Sequence, residues 1–96
     1  MTPVNEIRNV HTRRIYRLRA EAKWLKPKER IARLTKREMQ VAKLLAKSKI
    51  NKEIADKLVI TKKTVDYYRR EIFAKLGVNS VISMFKLLAR ERVVKL

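Results

Sequence analysis

The sequence predicts an all-α protein, and three observations support this fold class. The chain of 96 residues contains one Gly and two Pro, which leaves little room for the tight turns of β-hairpins. Its apolar residues recur at the three- and four-residue spacings of amphipathic helices. Helix-capping residues such as Thr35, Thr61 and Ser80 divide the chain at regular intervals. Together these features predict one long basic N-terminal helix followed by four shorter helices.

The first predicted helix lies within residues 1–33. Pro3 suits the first helical position, where its missing N–H does no harm. From Val4 to Leu25 the apolar residues step by three or four along one face, which is close to a heptad seam. Pro27 disfavours helical backbone at the residue before it, so we expect the helix to end near Leu25. The seam must be buried, either against the C-terminal part of the chain or against the same helix of a second copy.

Residues 34–96 are predicted to form a compact domain of four helices. Thr35 is followed three residues later by Glu38, which is the spacing of a capping box. Gly77 has the position of a left-handed C-terminal cap at the end of the third helix of this domain. The residues expected to cap the starts of the four helices are Thr35, Asn51, Thr61 and Ser80.

Two of these helices have a helix-turn-helix arrangement. The short helix "NKEIADKL" is followed by a tight turn and then by a longer basic helix at residues 62–76. In this arrangement the second helix fits the major groove of DNA. Helical periodicity predicts that one side of the helix at residues 62–76 is buried. This buried stripe consists of Val65, Ile72, Phe73 and Leu76, completed by Tyr68 or Arg69. The opposite, exposed stripe is predicted to consist of Lys63, Asp66, Tyr67, Arg70 and Ala74.

Three residues of the exposed stripe have side chains suited to reading bases. Arg70 fits bidentate hydrogen bonding to a guanine, and Asp66 fits acceptance from a cytosine amino group. Tyr67 fits contact with a thymine methyl group or a phosphate. The carboxylate of Asp66 would be repelled by DNA phosphates, so its presence favours a role in recognising a base sequence over general affinity for DNA. An Asp in the first turns of a helix also stabilises the positive end of the helix dipole, which is the alternative explanation.

The charge of the chain indicates a polyanionic partner. Its 26 Lys and Arg against 9 Asp and Glu give a net charge of +17. Nucleic acid, an anionic membrane surface or an acidic protein would neutralise such a charge. No apolar run reaches the length of a membrane span, and the N-terminus lacks the features of a signal peptide. We therefore expect a cytoplasmic protein with no membrane partner.

Nothing in the sequence indicates an enzyme or a cofactor. It contains no Gly-rich phosphate loop, no metal-ligand cluster and no nucleophile with a neighbouring base, and it has no cysteine. The single histidine, His11, lies on the apolar seam and is expected to pack there. Trp24 is also expected to pack against the helical bundle.

At this point residues 34–94 can be compared with a known family. The phrases "LTKRE", "NKEIADKL", "KTV" and "AKLGV", followed by a terminal helix, occur in the order and spacing of the LuxR-type helix-turn-helix domain of bacterial transcription regulators, which this segment resembles. The resemblance implies a four-helix DNA-binding domain, base readout by its third helix and dimerisation through its last. It implies in addition that the protein is nucleoid-associated and belongs to a prokaryote or a phage. Since residues 1–33 match no receiver or ligand-binding domain, the chain resembles the small stand-alone members.

The resemblance also assigns positions. The family's base-reading positions fall on Asp66, Tyr67 and Arg70, and its backbone-contacting positions fall on Lys52, Lys62, Lys63, Thr64 and Lys75. Three residues depart from the pattern. Ser48 stands where a Gly is usual, so that turn is expected to be slightly strained; Asp66 stands where a Lys is common; and Tyr68 stands where a His is frequent.

The predicted function is that of a sequence-specific regulator of transcription that binds double-stranded DNA as a homodimer. The alternative is a basic adapter protein that uses the same fold to bind RNA polymerase, a sigma factor or another regulator. The dimer interface is expected either at Val81 to Leu88 or along Val4 to Leu25. The excess of arginine in the N-terminal helix leads to a further hypothesis, that this helix lies along the DNA backbone beside the recognised site.

Overall fold

A computed structural model of the chain describes the backbone of residues 3–95 and the side chains of residues 11–95. Over this range the protein consists of helices and connecting turns, without a β-strand, which confirms the all-α prediction. The helices are α1 (Pro3–Ala22), α2 (Pro27–Ala32), α3 (Lys36–Ala46), α4 (Asn51–Leu58), α5 (Lys62–Leu76) and α6 (Val81–Arg90). Helices α3 to α6 are the four predicted for the C-terminal domain.

The short helix α2 was not predicted. Pro27 is its first residue, because a proline that disfavours helix before it is well suited to begin one. The backbone N–H of Lys26 donates to Glu29 Oε1 at 2.7 Å, which satisfies a free donor at the start of α2. The sequence interpretation used Pro27 only as a stop signal. It also extended α1 to Leu25, whereas α1 ends at Ala22.

Most of the predicted helix caps are present. The hydroxyls of Thr35, Thr61 and Ser80 accept hydrogen bonds from the backbone N–H groups three residues later. Asn51, however, is not a cap, because the residue in the capping position of α4 is Ile50. There the N–H of Ile50 donates to Glu53 Oε1 at 3.0 Å. Asn51 is thus the first residue of α4, and its side chain is available for another contact.

Helix α5 lies at the centre of the protein and packs against α1, α2, α3 and α4. The predicted core residues Val65, Ile72 and Leu76 are fully buried on the α3 and α4 side. Phe73 is only half-buried, and the guanidinium of Arg69 lies over its ring, 5.4 Å from the centroid. Ala74, which was predicted to be exposed, is fully buried. That prediction was wrong because α1 covers this side of α5.

Helix α1 packs on α5 along the predicted apolar seam. Leu18 and Ala22 are buried there, so the seam is covered within the chain over the described side chains. Val4 and Ile7 belong to the same seam but lie outside the described side chains. Trp24 does not pack on the bundle, contrary to expectation, since 87% of it is exposed in the turn after α1. The division of the chain at residue 33 stays a prediction.

The described backbone is left-handed at Ser48, Val59, Gly77 and Arg92, and the sequence analysis singled out two of these positions. Gly77 ends α5 with φ of 68°, as predicted, and a Cβ at this position would lie 3.0 Å from the Cβ of Ala22. Ser48, after α3, has φ of 64°. A left-handed conformation brings the Cβ of an L-residue close to the following carbonyl oxygen. Ser48 therefore carries the strain expected where a glycine is missing.

No single helix of the described residues is long and apolar enough to cross a membrane. Helices α5 and α6 would meet the length and composition criteria only as a pair, bent by 53° at their junction. The apolar residues of both helices, such as Ile72 and Leu88, are part of the core described above.

The strain at Ser48 leads to a stability prediction. Ser48→Gly is expected to raise the free energy of unfolding by roughly 0.5 to 1 kcal/mol, because the relief of left-handed strain exceeds the added entropy of the unfolded chain. Urea denaturation followed by circular dichroism measures the change. Ser48→Ala is the matched control, since it shortens the side chain and keeps the strain. Equal stabilisation by both variants would contradict the explanation.

Candidate nucleic-acid interface

The uncovered side of α5 is the surface of interest. Because α1 and the core cover the rest of the helix, the exposed residues converge on one side. These residues are Lys62, Lys63, Asp66 and Arg70, with Tyr67 at the edge next to α1. The surface is narrower than the sequence predicted, since Ala74 is absent from it.

Arg70 is the base-reading candidate with an available side chain. It is exposed, and within residues 11–95 it forms neither an ion pair nor a hydrogen bond. A guanidinium presents several donors in one plane, which suits bidentate recognition of a guanine edge or a phosphate. The side chain of Arg70 is therefore available to a ligand without any rearrangement of the protein.

Asp66 is held by a partner that the sequence analysis did not identify. Its Oδ1 accepts a hydrogen bond from Asn51 Nδ2 at 2.6 Å. This contact joins the first turn of α4 to the exposed side of α5. The sequence contained no signal for it, because the two residues are 15 positions apart on different helices and Asn51 had been assigned to a cap. Asn51 thus belongs to the surface as a neighbour of Asp66.

Tyr67 is fixed by α1. Its ring stacks on that of His11, with centroids 4.9 Å apart and planes at 22°. The tyrosine is 46% exposed, so one edge of the ring stays open to a ligand. Partial burial raises the pKa of Tyr67 above its ordinary value, and the nearby carboxylate of Glu71 raises it further. A tyrosine hydroxyl is neutral at pH 7 even at its ordinary pKa, so Tyr67 is a hydrogen-bond donor at this pH.

His11 packs on the seam as predicted, through its stacking on Tyr67. Its Nε2 is buried and has no hydrogen-bond partner among the described side chains. Over the described part of the chain, no three His, Asp or Glu side chains come close enough together to hold a metal ion. The contact that the structure shows for the His11 side chain is therefore its stacking on the ring of Tyr67.

An ion pair ties α1 to α5 one turn further along. Arg14 Nε donates to Glu71 Oε1 at 2.8 Å, and the side chain of Glu71 is only 2% exposed. The hydrogen bond and charge of Glu71 raise the pKa of Arg14, so the guanidinium stays charged. A buried carboxylate is costly without a partner, and Arg14 supplies one from the solvent side.

The predicted backbone contacts occupy different environments. Lys52, Lys62 and Lys63 are exposed, and Thr64 is half-buried with its hydroxyl 2.9 Å from that of Thr61. Lys75 is buried, and its Nζ donates to Glu38 Oε1 at 2.8 Å. A phosphate contact by Lys75 does not fit this position, because the ammonium is inside the protein and already paired. We leave Lys75 out of the interface.

Several N-terminal arginines hold the protein itself together. Arg14 pairs with Glu71, Arg19 Nη1 donates to the carbonyl of Val78 at 3.0 Å, and Arg33 Nη2 donates to the carbonyl of Leu18 at 3.1 Å. Two others, Arg13 and Arg17, are exposed on the side of α1 away from α5. The described arginines of α1 therefore do not form a row directed toward the uncovered side of α5.

Comparison with known proteins identifies the family of this domain. Residues 32–88 match the family model described as bacterial regulatory proteins, luxR family. The match covers helices α3 to α5 and most of α6, and it confirms the resemblance inferred from the sequence phrases. No solved structure gives a significant match to the chain.

Three curated proteins illustrate the similarity. The chain is 45% identical over 53 residues to the uncharacterized response regulatory protein YgeK of Escherichia coli K12, which is 55% of this chain and 36% of that protein. It is 47% identical over 47 residues to the oxygen regulatory protein NreC of Staphylococcus aureus JH9, or 49% of this chain and 22% of that one. Identity to the fimbriae Z protein of Salmonella typhimurium LT2 is 39% over 51 residues, or 53% and 24%. The matched region is thus about a quarter to a third of each relative.

The ion pair between Arg14 and Glu71 leads to a prediction about α1. Arg14→Met is expected to lower the free energy of unfolding by about 1 to 3 kcal/mol, because it leaves a buried carboxylate without its charged donor. Thermal or urea unfolding measures the loss. The control is Arg17→Met, an exposed arginine on the same helix, which should change stability by less than about 0.5 kcal/mol. Equal effects of the two variants would show that Glu71 does not depend on Arg14.

Proposed function

Because this chain belongs to the luxR family of bacterial regulatory proteins, we propose that it binds double-stranded DNA in a sequence-specific manner and regulates transcription by inserting α5 into the major groove. The observation that carries this proposal is the uncovered side of α5. It combines the unpaired guanidinium of Arg70 with the ammonium groups of Lys62 and Lys63 on a helix packed by four others.

Size and rigidity support the insertion of α5. The helix has 15 residues and is therefore about 22 Å long, and its width matches a major groove of about 12 Å. It is packed against α1 to α4 on its covered sides, so the backbone positions that carry its exposed side chains are held in a fixed relation to one another. Recognition of a base sequence depends on such fixed positions.

We assign the readout roles from the contacts of each side chain. Arg70 donates to a guanine, because its planar set of donors has no partner among residues 11–95. Asp66 and Asn51 act as a hydrogen-bonded pair in which the carboxylate orients the amide, so the two present one donor and acceptor set to a base or a phosphate. Tyr67, with a neutral hydroxyl and an open ring edge, contacts a thymine methyl group or a phosphate.

Phosphate contacts fall to the exposed lysines. Lys62 and Lys63 flank the start of α5, and Lys52 lies in the first turn of α4. Thr64 is the fourth proposed contact to the DNA backbone, through its hydroxyl, which is hydrogen-bonded to that of Thr61. Each lysine that neutralises a phosphate releases counterions, which makes binding depend on salt. The net charge of +17 adds long-range attraction to the duplex.

A homodimer completes the proposal. Helix α6 exposes Ile82, which is 69% accessible, beside the half-buried Val81 and Phe85. The seam of α1 is covered by α5 over its described side chains, which favours α6 as the interface. Two copies related by a two-fold axis would read two half-sites about one helical turn apart. Such a regulator works on bacterial DNA in the cytoplasm.

Selection of bound sequences from a random duplex pool tests the DNA proposal. The unaltered chain is expected to enrich one sequence pattern. Arg70→Ala should lose the preference at one base position, at a cost of about 1 to 3 kcal/mol in binding, because a bidentate contact to one base is removed. Lys63→Ala should weaken binding to all duplexes alike and reduce the slope of log affinity against log salt by about 1.

The matched control for Arg70 is Arg90→Ala, an exposed arginine at the end of α6 that lies outside the proposed interface. It should leave the selected sequence unchanged. If the unaltered chain enriches no duplex in moderate salt, the DNA-reading proposal fails and the adapter alternative replaces it.

The dimer has its own test. Ile82→Asp is expected to convert a dimer into a monomer, because it adds a charge to the apolar contact between two α6 helices. Analytical ultracentrifugation measures the mass, and circular dichroism checks that the helices persist. Ile50→Asp is the matched control, since Ile50 is a comparably exposed isoleucine at the start of α4. A dimer that survives Ile82→Asp would exclude this interface.

A further inference from the structure

The outer side of α1 is a second exposed surface with a marked chemical character. The residues Arg13, Tyr16, Arg17 and Ala20 of α1, with Lys23 and Trp24 of the following turn, form a stripe that we call the outer stripe. All six are exposed. They recur at helical spacing on the side of α1 opposite to Leu18 and Ala22, which pack on α5.

The two aromatic residues of the outer stripe are unusually accessible. Tyr16 is 70% exposed and Trp24 is 87% exposed. The backbone N–H of Trp24 donates to the backbone carbonyl of Glu21 at 3.0 Å, so the turn continues the direction of α1. The two rings are eight residues apart, which corresponds to about 12 Å along the helix. Single exposed apolar residues are ordinary, whereas two aromatics on one stripe with Arg17 and Lys23 between them have the composition of a binding surface.

The charge of the outer stripe indicates the chemistry of its partner. Arg13, Arg17 and Lys23 form no ion pair within residues 11–95. The nearest acidic residue along the chain, Glu21, is paired with Arg33 at 3.2 Å. The stripe therefore carries three uncompensated positive charges around two aromatic rings.

We propose that the outer stripe is a docking surface for an acidic segment of another protein, which places carboxylates on Arg13, Arg17 and Lys23 and apolar side chains on Tyr16 and Trp24. Tryptophan, tyrosine and arginine are the residues enriched at the energetic centres of protein interfaces. A second copy of the chain fits poorly, because it would bring the same positive charges to the contact. The docking of an acidic segment does not depend on the proposed function, and only the competition with a DNA duplex rests on it.

A DNA duplex is also a poor occupant of the outer stripe. Contacts to the backbone of a duplex use charge and hydrogen bonds, and exposed aromatic rings stack mainly on unpaired bases. The stripe points away from α5, since α1 covers α5 with its other side. The acidic partner is therefore expected to bind while α5 is engaged with DNA.

Peptide selection tests the proposal with the full chain. Random 12-residue peptides displayed on phage are selected on the unaltered protein and counter-selected on Arg13→Glu/Arg17→Glu. The recovered peptides are expected to combine several Asp or Glu residues with an apolar residue. A synthetic copy should shift the emission of Trp24, the only tryptophan in the chain, to shorter wavelength. The double charge reversal should weaken its binding at least about tenfold, and Tyr16→Ala should weaken it as well.

The control variant is Lys43→Glu/Lys47→Glu, which removes the same positive charge from α3 and its C-terminal cap. It should leave peptide binding within about twofold, since the two sites are on different helices. Circular dichroism checks that each variant keeps its helices. Equal weakening by both double variants, or recovered peptides without acidic residues, would overturn the proposal.

Two competition experiments separate the other occupants. The peptide should bind equally well after the duplex selected above has saturated the protein, and displacement by the duplex would assign the stripe to DNA instead. Oligothymidylate of 20 nucleotides and vesicles with anionic lipid are added in place of the peptide. If either one shifts the emission of Trp24 while no acidic peptide does, the outer stripe binds single-stranded nucleic acid or membrane, and the proposal is overturned.

Discussion

The structure depends on the burial of α5 against four other helices. A helix with this many charged residues is not apolar enough to be a core helix by composition, yet it packs against α1, α2, α3 and α4. Two buried carboxylates make this possible. Glu38 of α3 neutralises Lys75, and Arg14 of α1 neutralises Glu71, so each charge that α5 carries inward has a partner from another helix. The charges that remain unpaired on α5 are left on one side, which is the side proposed to meet DNA.

The sequence was sufficient for the parts of the fold that local chemistry determines. Capping hydroxyls at Thr35, Thr61 and Ser80 and the left-handed Gly77 act within a few residues of themselves, so their positions located the starts of α3, α5 and α6 and the end of α5. Ser48 was singled out by the family resemblance, because it stands where a glycine is usual. Pro27 was ambiguous, since a proline marks both the end of one helix and the start of the next, and α2 was missed for that reason.

The parts of the site that the sequence could not supply are contacts between distant segments. Helical periodicity correctly separated Val65 and Ile72 from Arg70, but it assumed that α5 has one covered side. Helix α1 covers a second side of α5, buries Ala74 there and places the ring of His11 against that of Tyr67. The pairing of Asn51 with Asp66 and the burial of Lys75 likewise follow from how the helices are arranged in space. No spacing within one helix encodes such relations.

The close approach of Gly77 to Ala22 has a mechanical consequence. The absence of a side chain on Gly77 lets the C-terminal end of α1 lie directly against the end of α5, with little space between the two backbones. His11 is eleven residues away from that contact, or about 16 Å along α1. Between these two points the ion pair of Arg14 with Glu71 attaches α1 to α5 a second time, and the stacking of His11 on Tyr67 attaches it a third time. The ring of Tyr67 is thus supported by a helix that is anchored to α5 at three places along its length.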